Sequence, residues 1–365
     1  MNRTKQLHDL GQSLWLDNIT RNILDNGTLR RYIDEFFVTG LTSNPTIFDK
    51  AIAGTPAYDD GIRAKSKAGR IGEELFVELA LEDLRRAADM FRPAFDATGG
   101  VDGWASMEIS PLLANDTTGS IEAAARIYRQ ADRPNLFIKI PGTPEGVPAI
   151  EESIYAGVPI NVTLLFSCEQ YLASAEAYLH GIERRIAAGR DPRMDSVASL
   201  FVSRWDAAVA NKVPDGLDNQ LGIAIAARTY RAYRELLASP RWRKLAAVGA
   251  RPQRLLWAST GTKDPKARDT LYIEALAAPD TINTIPEKNL HAFAEHGEIQ
   301  GVMAADGGDG EAVLTRFAQA GIDIGALAIR LQRDGAEAFV KSWQELIQCI
   351  ASKSAALADI GKGRG

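Results

Sequence analysis

The chain has 365 residues, 45% hydrophobic and 24% charged, enough apolar material for one large α/β domain or two smaller ones. Its net charge of −5 offers no basic field to nucleic acid or an anionic membrane, so acidic substrates need local basic residues. Two cysteines, Cys168 and Cys349, stand far apart, which argues against a disulfide framework or a cysteine zinc site and for a reducing compartment. The N-terminal residues carry no apolar signal core and no 18-residue apolar run occurs, so a soluble, cytoplasmic protein is expected.

In chain order, residues 13–19 predict a short strand ending in Asp17 and Asn18, with a helix to about residue 36. Residues 38–42 predict a second strand, running into Ser43-Asn44-Pro45-Thr46, which is turn and helix-cap chemistry. Two helices follow. The second, over residues 71–91, places Phe76, Leu79, Ala80, Leu84, Ala87 and Phe91 on one face, with Glu73 and Glu74 early and Arg85 and Arg86 late, as the macrodipole favours. Further strands are expected at residues 104–109, 135–140, 160–166, 196–204 and 254–259, with a weak eighth at 281–284. Helices between them are expected at 120–130, up to 154, 168–188 and 222–237, and then to the end of the chain.

Eight strands alternating with helices over this length predict a (β/α)₈ barrel with extra C-terminal helices. A doubly wound open sheet is the alternative, but no Gly-rich fingerprint follows any strand; Gly307-Gly-Asp-Gly310 reads as a loop. No linker or repeat divides the chain. It reads as one barrel domain over residues 1–365, with a tail from about residue 350 whose Gly-rich end, 361–365, is expected to be unstructured.

The fourth strand organises the rest. Leu136, Phe137, Ile138 and Ile140 form an apolar run with Lys139 in its middle, the pattern of a strand buried on both faces. A buried lysine needs a partner or a task. Desolvation disfavours the ammonium, so such a lysine can act as a neutral nucleophile. The competing reading is an edge-strand lysine that snorkels to water. In a barrel, functional groups converge from the C-terminal ends of different strands. Polar residues recur there: Asp17, Asn44, Glu108, Lys139, Asn161, Thr163, Ser199, Arg204, Ser259 and Lys263. Each has a plainer reading. Asp17 and Asn44 suit helix caps, Glu108 a solvated strand end, Asn161 and Thr163 turn backbone, and Arg204 and Lys263 surface charge. Taken as a set they suit imine chemistry on a ketone: Lys139 attacks, Glu108 and Asp17 are the available acid/bases, and Thr163 can help hold a water. Arg204 and Lys263, with Ser199 and Ser259, suit a sugar phosphate.

These residues lie in segments that resemble transaldolases: Leu-Trp-Leu-Asp at 14–17, Gly-Leu-Thr-Ser-Asn-Pro-Thr at 40–46, Ser-Met-Glu-Ile-Ser at 106–110, Phe-Ile-Lys-Ile-Pro at 137–141, Ile-Asn-Val-Thr-Leu-Leu-Phe-Ser at 160–167 and Ser-Leu-Phe-Val-Ser-Arg at 199–204. They occur in the family's order, and the length resembles the longer, actinobacterial-type branch. The resemblance implies a class I aldolase-like barrel and a dihydroxyacetone transfer between sugar phosphates. It implies Lys139 as the Schiff-base lysine, Asp17 as acid/base at the donor C4 hydroxyl, and Glu108 acting through a water held with Thr163. It further implies Asn44, Asn161 and Ser199 around the dihydroxyacetone part and Arg204 at the phosphate. No metal or organic cofactor is implied, since the imine does the work of a Lewis acid; the expected assembly is a monomer or homodimer. One departure stands out. The family commonly has an arginine two residues after the seventh-strand serine, whereas Ser259 is followed there by Gly261, so Lys263 is expected to replace that arginine. Two other readings are a fructose-6-phosphate aldolase, which releases free dihydroxyacetone, and a non-catalytic sugar-phosphate binder. The first tends to differ from a transaldolase in using tyrosine where this chain has Glu108.

Overall fold

The computed structural model describes residues 2–362. Its strands are β1 (Ser13–Leu16), β2 (Val38–Leu41), β3 (Ala105–Glu108), β4 (Leu136–Pro141), β5 (Ile160–Leu165), β6 (Ser196–Phe201), β7 (Gln253–Ala258) and β8 (Ile282–Ile285). All pair in parallel in the order β2-β1-β8-β7-β6-β5-β4-β3. A bridge between Gly40 and Trp104 brings the two end strands together, so the sheet is a nearly closed (β/α)₈ barrel. Helices cover one face of every strand and the barrel core covers the other. No strand residue is exposed, which is why the strands read as near-continuous apolar runs.

The helices before β3 are α1 (Arg3–Asp9), α2 (Arg21–Asp25), α3 (Thr28–Phe36), α4 (Pro45–Gly54), α5 (Asp59–Lys67) and α6 (Gly72–Ala97). Those up to β7 are α7 (Thr117–Ala131), α8 (Gly146–Ala156), α9 (Cys168–Ala187), α10 (Ser203–Val209), α11 (Leu221–Ala238) and α12 (Pro240–Ala247). The rest are α13 (Leu271–Ala275), α14 (Glu287–His296), α15 (Gly310–Gln319) and α16 (Ile324–Lys362). Among the described residues no single helix is long and apolar enough to cross a membrane.

Four local expectations need correction. The single helix expected after β1 is two, because Gly27 takes a left-handed φ of 81° between α2 and α3. The sixth strand stops at Phe201. Val202, at φ −105° and ψ −64°, leaves the extended region, and Arg204 therefore stands in the first turn of α10. The two helices expected between β2 and β3 are three, α4, α5 and α6. Finally, residues 361 and 362 of the Gly-rich end, expected to be unstructured, continue α16, which is helical through Lys362; residues 363–365 lie outside the described ones. Lys353 explains part of this, since its ammonium donates to the carbonyls of Ile52 and Thr55 and pairs with Asp59 at 2.8 Å.

Aromatic rings fill the lower half of the barrel. Phe137 stacks on Trp104 with centroids 3.9 Å apart and lies 6.0 Å from Trp15. Gly40 is needed at that level, because a Cβ there would come within 2.7 Å of both Trp15 and the Trp104 carbonyl. At the other end α16 crosses the mouth. A register break in β5 turns Leu164 to φ 59°, and the Gln332 amide donates to the carbonyls of Leu164 (3.0 Å) and Gly142 (2.9 Å). Gly335 lets the helix close in, since a Cβ there would lie 3.0 Å from Leu164 and 3.1 Å from Arg204.

Candidate active site

Phe137 and Lys139 share one side of β4, two residues apart, so a lysine above the aromatic layer points into the barrel near its mouth. Lys139 is only 6% exposed. Its Nζ donates to the Ser43 carbonyl at 3.0 Å and lies 3.6 Å from Oε2 of Glu108. In the ladder Lys139 pairs with Glu108 on β3 and Asn161 on β5, so strand register alone sets these three side by side. The edge-strand reading of Lys139 is thereby excluded.

Glu108 ends β3 and is buried. Burial pushes its carboxyl above the usual range; Lys139 pulls the other way and Asp17 adds to the rise. Among the described residues, Glu108 Oε2 and Thr163 Oγ1 are buried oxygens with no hydrogen-bond partner. Asp17 follows β1 at the cavity wall. Its Oδ1 accepts from the Thr42 hydroxyl at 3.0 Å, and Thr42 in turn meets the Thr284 hydroxyl at 2.8 Å. Burial raises the Asp17 carboxyl too, against the pull of Lys139, Thr42 and Lys263.

A cavity of about 380 Å³ opens above these groups. Eight of the ten residues anticipated from sequence line it: Asp17, Asn44, Lys139, Thr163, Ser199, Arg204, Ser259 and Lys263. Glu108 and Asn161 lie beneath. Asn161 is fully buried, donating to Ser106 Oγ at 3.2 Å and accepting from Ser199 Oγ at 2.7 Å. It thus fixes Ser199 rather than facing the cavity. Asn44 combines two readings: its Oδ1 caps α4 by accepting from the Ile47 amide at 3.0 Å, and it also lines the cavity.

At the rim, Arg204 projects between two rings, 5.2 Å from the Phe201 centroid and 5.9 Å from that of Phe339. Burial lowers its pKa and no carboxylate offsets this. Ser259, just past β7 at φ 55°, shares a hydrogen bond of 3.0 Å with Ser203 next to Arg204. Lys263 is exposed at the edge of the same cavity. A Cβ on Gly261 would meet Pro286 at 3.2 Å, Asn289 at 3.3 Å and the Lys263 ammonium at 4.0 Å. A long side chain at 261 is thus crowded, and the Lys263 charge occupies the adjoining space. Three cations, Arg204, Lys263 and Lys50 of α4, line the cavity beside Lys139, and its wall holds one carboxylate, Asp17. The net charge of the whole chain conceals this local positive field.

Several lining groups were not anticipated. Thr42 and Thr284 were within predicted strands, at ends where polar side chains already signalled the site. Lys50 lies six residues beyond Asn44, on the helix that Asn44 caps. Phe339 comes from α16, far along the chain, and no local signal ties it to the mouth.

A family model described as transaldolase/fructose-6-phosphate aldolase matches residues 14–350. The chain is 45% identical over 353 residues to a transaldolase of Acidothermus cellulolyticus, covering 94% of this chain and 95% of that one. It is 43% identical over 358 residues to a transaldolase of Thiobacillus denitrificans (96% and 100% covered) and 38% identical over 378 residues to transaldolase 2 of Nostoc punctiforme (98% and 99%). With its barrel, its buried strand lysine and these matches over nearly the whole length, the chain belongs to the transaldolase/fructose-6-phosphate aldolase family.

Proposed function

We propose that this protein is a transaldolase of the non-oxidative pentose phosphate pathway. It moves a dihydroxyacetone unit from sedoheptulose 7-phosphate to glyceraldehyde 3-phosphate, giving erythrose 4-phosphate and fructose 6-phosphate. The observation that carries this reading is the Lys139 amine inside the barrel, 3.6 Å from Glu108, on the cavity that Asp17 shares. The Lys139 amine attacks the ketose C2 carbonyl to form a carbinolamine, and loss of water gives the imine. Glu108 handles those protons through a water that Thr163 helps to hold, and such a water satisfies the two orphaned oxygens, Glu108 Oε2 and Thr163 Oγ1. Asp17 takes the C4 hydroxyl proton, the C3–C4 bond breaks, and its electron pair passes into the imine to leave an enamine. The aldose phosphate departs. The enamine carbon then adds to the carbonyl of the second aldose phosphate, Asp17 returns the proton to the new C4 oxygen, and water releases the product from Lys139.

Asn44 and Ser199 hold the dihydroxyacetone hydroxyls in this scheme, and Asn161 keeps Ser199 in place. Arg204, Lys263 and Ser259 take the phosphate, Arg204 as a planar fork and Lys263 as a point charge. We read the barrel and α16 as one domain, because α16 brings Phe339 to the cavity. Two free thiols, Cys168 and Cys349, suit the cytoplasm.

The test is to incubate with fructose 6-phosphate, reduce with borohydride and map the adduct by mass spectrometry. A three-carbon adduct on Lys139 is expected, and an unmodified Lys139 removes the mechanism. The family description leaves one competitor, aldol cleavage with release of free dihydroxyacetone. Adding erythrose 4-phosphate decides between them: transfer accumulates sedoheptulose 7-phosphate, whereas cleavage accumulates dihydroxyacetone.

A further inference from the structure

Arg204 and Lys263 come from different segments, the start of α10 and the loop between β7 and α13. Behind them lies a second cavity of about 630 Å³, walled by α10, the segment leading into α11 and the Lys263 loop. Across such a gap close packing does not lock the segments together, and discrete hydrogen bonds must do so. The bonds converge on one buried side chain, Asp206, two residues after Arg204 and 6% exposed.

Asp206 Oδ1 accepts from the Leu221 amide at 2.8 Å, and Oδ2 accepts from the Gly222 amide at 3.2 Å. Oδ2 also accepts from the Tyr272 hydroxyl of α13 at 2.7 Å. The approach is close: a Cβ on Gly222 would come within 2.8 Å of Oδ2 and 2.5 Å of the Val202 carbonyl. Just before α11, the Asn219 amide donates to Asp264 at 2.8 Å, next to Lys263. Two routes therefore run from Asp206 to the Lys263 loop, one through Tyr272 and one through the start of α11 and Asn219. Burial pushes the Asp206 carboxyl up to about 6, so at neutral pH it is still ionised and accepts from all three donors.

We infer that Asp206 is the positioning residue that sets the spacing between Arg204 and Lys263, and so the fit of the site to a phosphorylated sugar. It touches no substrate. The inference rests on the assignment of Arg204 and Lys263 to the phosphate. A plain structural role, capping α11, is the alternative, and the two differ in what they disturb.

The test compares Asp206→Asn and Tyr272→Phe with the unmodified enzyme and with Arg204→Ala. Asp206→Asn keeps size and one acceptor, and Tyr272→Phe removes only the hydroxyl. KM for fructose 6-phosphate is expected to rise ~10-fold in Asp206→Asn and about threefold in Tyr272→Phe, the cost of mispairing charge-assisted hydrogen bonds. Borohydride-trapped adduct formation on Lys139 with dihydroxyacetone, which has no phosphate, is expected to stay unchanged in both. Unchanged KM in both variants, or adduct formation that falls in step with the KM effect, overturns the inference. Arg204→Ala separates the two levels. If it raises KM while the Asp206 and Tyr272 variants do not, only the spacing claim fails; if it leaves KM unchanged, the phosphate assignment fails and the spacing claim with it.

Discussion

The two ends of the site are built differently. At the end proposed as catalytic, Glu108, Lys139 and Asn161 are adjacent by ladder register, on neighbouring strands buried on both faces. At the end proposed to take the phosphate, Arg204 lies in a helix turn, Ser259 at a left-handed position and Lys263 on an exposed loop, and hydrogen bonds of neighbouring side chains link their segments. The backbone ladder alone sets Glu108 beside Lys139, whereas Asp17, one residue past β1, is held by the Thr42 hydroxyl. The ladder cannot do the same for groups beyond the strand ends. Substitutions at the first end should therefore strike turnover, and at the second, affinity for phosphorylated substrates.

The sharpest test of that division is Lys139→Ala. Without the amine no imine forms, and transfer is expected to fall by ~10⁴-fold or more, with no borohydride-trapped adduct. Residual transfer through another lysine would contradict the assignment. Next come Asp17→Asn and Glu108→Gln, each expected to lower kcat by ~10²–10⁴-fold with little change in KM. The two should separate in single-turnover measurements. Glu108→Gln slows adduct formation with dihydroxyacetone, whereas Asp17→Asn leaves that step and blocks C3–C4 cleavage.

The same division marks what could be read from sequence. Eight strands were legible because a strand covered on both faces must be apolar throughout, so one lysine in such a run stands out. The turn from β6 into α10 was not, since Phe201-Val-Ser continues the apolar pattern while Val202 has already left the extended region. The last residues of α16, 361 and 362, were hidden by the glycines at 361–365, although Lys353, earlier in the same helix, ties this end to α4. Phe339 was beyond reach for another reason. Its place beside Arg204 depends on α16 crossing the mouth, which Gln332 and Gly335 permit through contacts more than a hundred residues away in sequence.

At the phosphate end the expected effects are smaller. Arg204→Lys keeps the charge but loses the planar fork and the stacking between Phe201 and Phe339, and KM for fructose 6-phosphate should rise roughly tenfold with kcat nearly intact. Lys263→Ala removes an exposed point charge and should raise KM only about three- to fivefold, an effect that fades at high salt. An unchanged KM in Lys263→Ala would leave Gly261 without a substitute for the family's arginine.

The last contrast concerns stability, and here the catalytic end should show a cost that the rim does not. Asp17 is held with its carboxyl above the ordinary value of 3.8 because burial outweighs the pull of Lys139, Thr42 and Lys263. A carboxyl raised on folding favours the folded state fully only below that ordinary value, and the benefit is lost as pH rises through the folded value. At neutral pH the Asp17 carboxyl is therefore a burden on the fold, which the proposed proton transfer from the C4 hydroxyl accounts for. Asp17→Asn keeps an oxygen for the Thr42 hydroxyl and carries no charge, so its thermal midpoint should exceed that of the unmodified protein at neutral pH. As the buffer is taken down toward pH 3.8, the unmodified protein takes up the proton and the two curves should converge. An Asp17→Asn protein that is less stable at neutral pH, or whose advantage grows in acid, would mean that Lys139 and Thr42 stabilise the carboxylate by more than its burial costs.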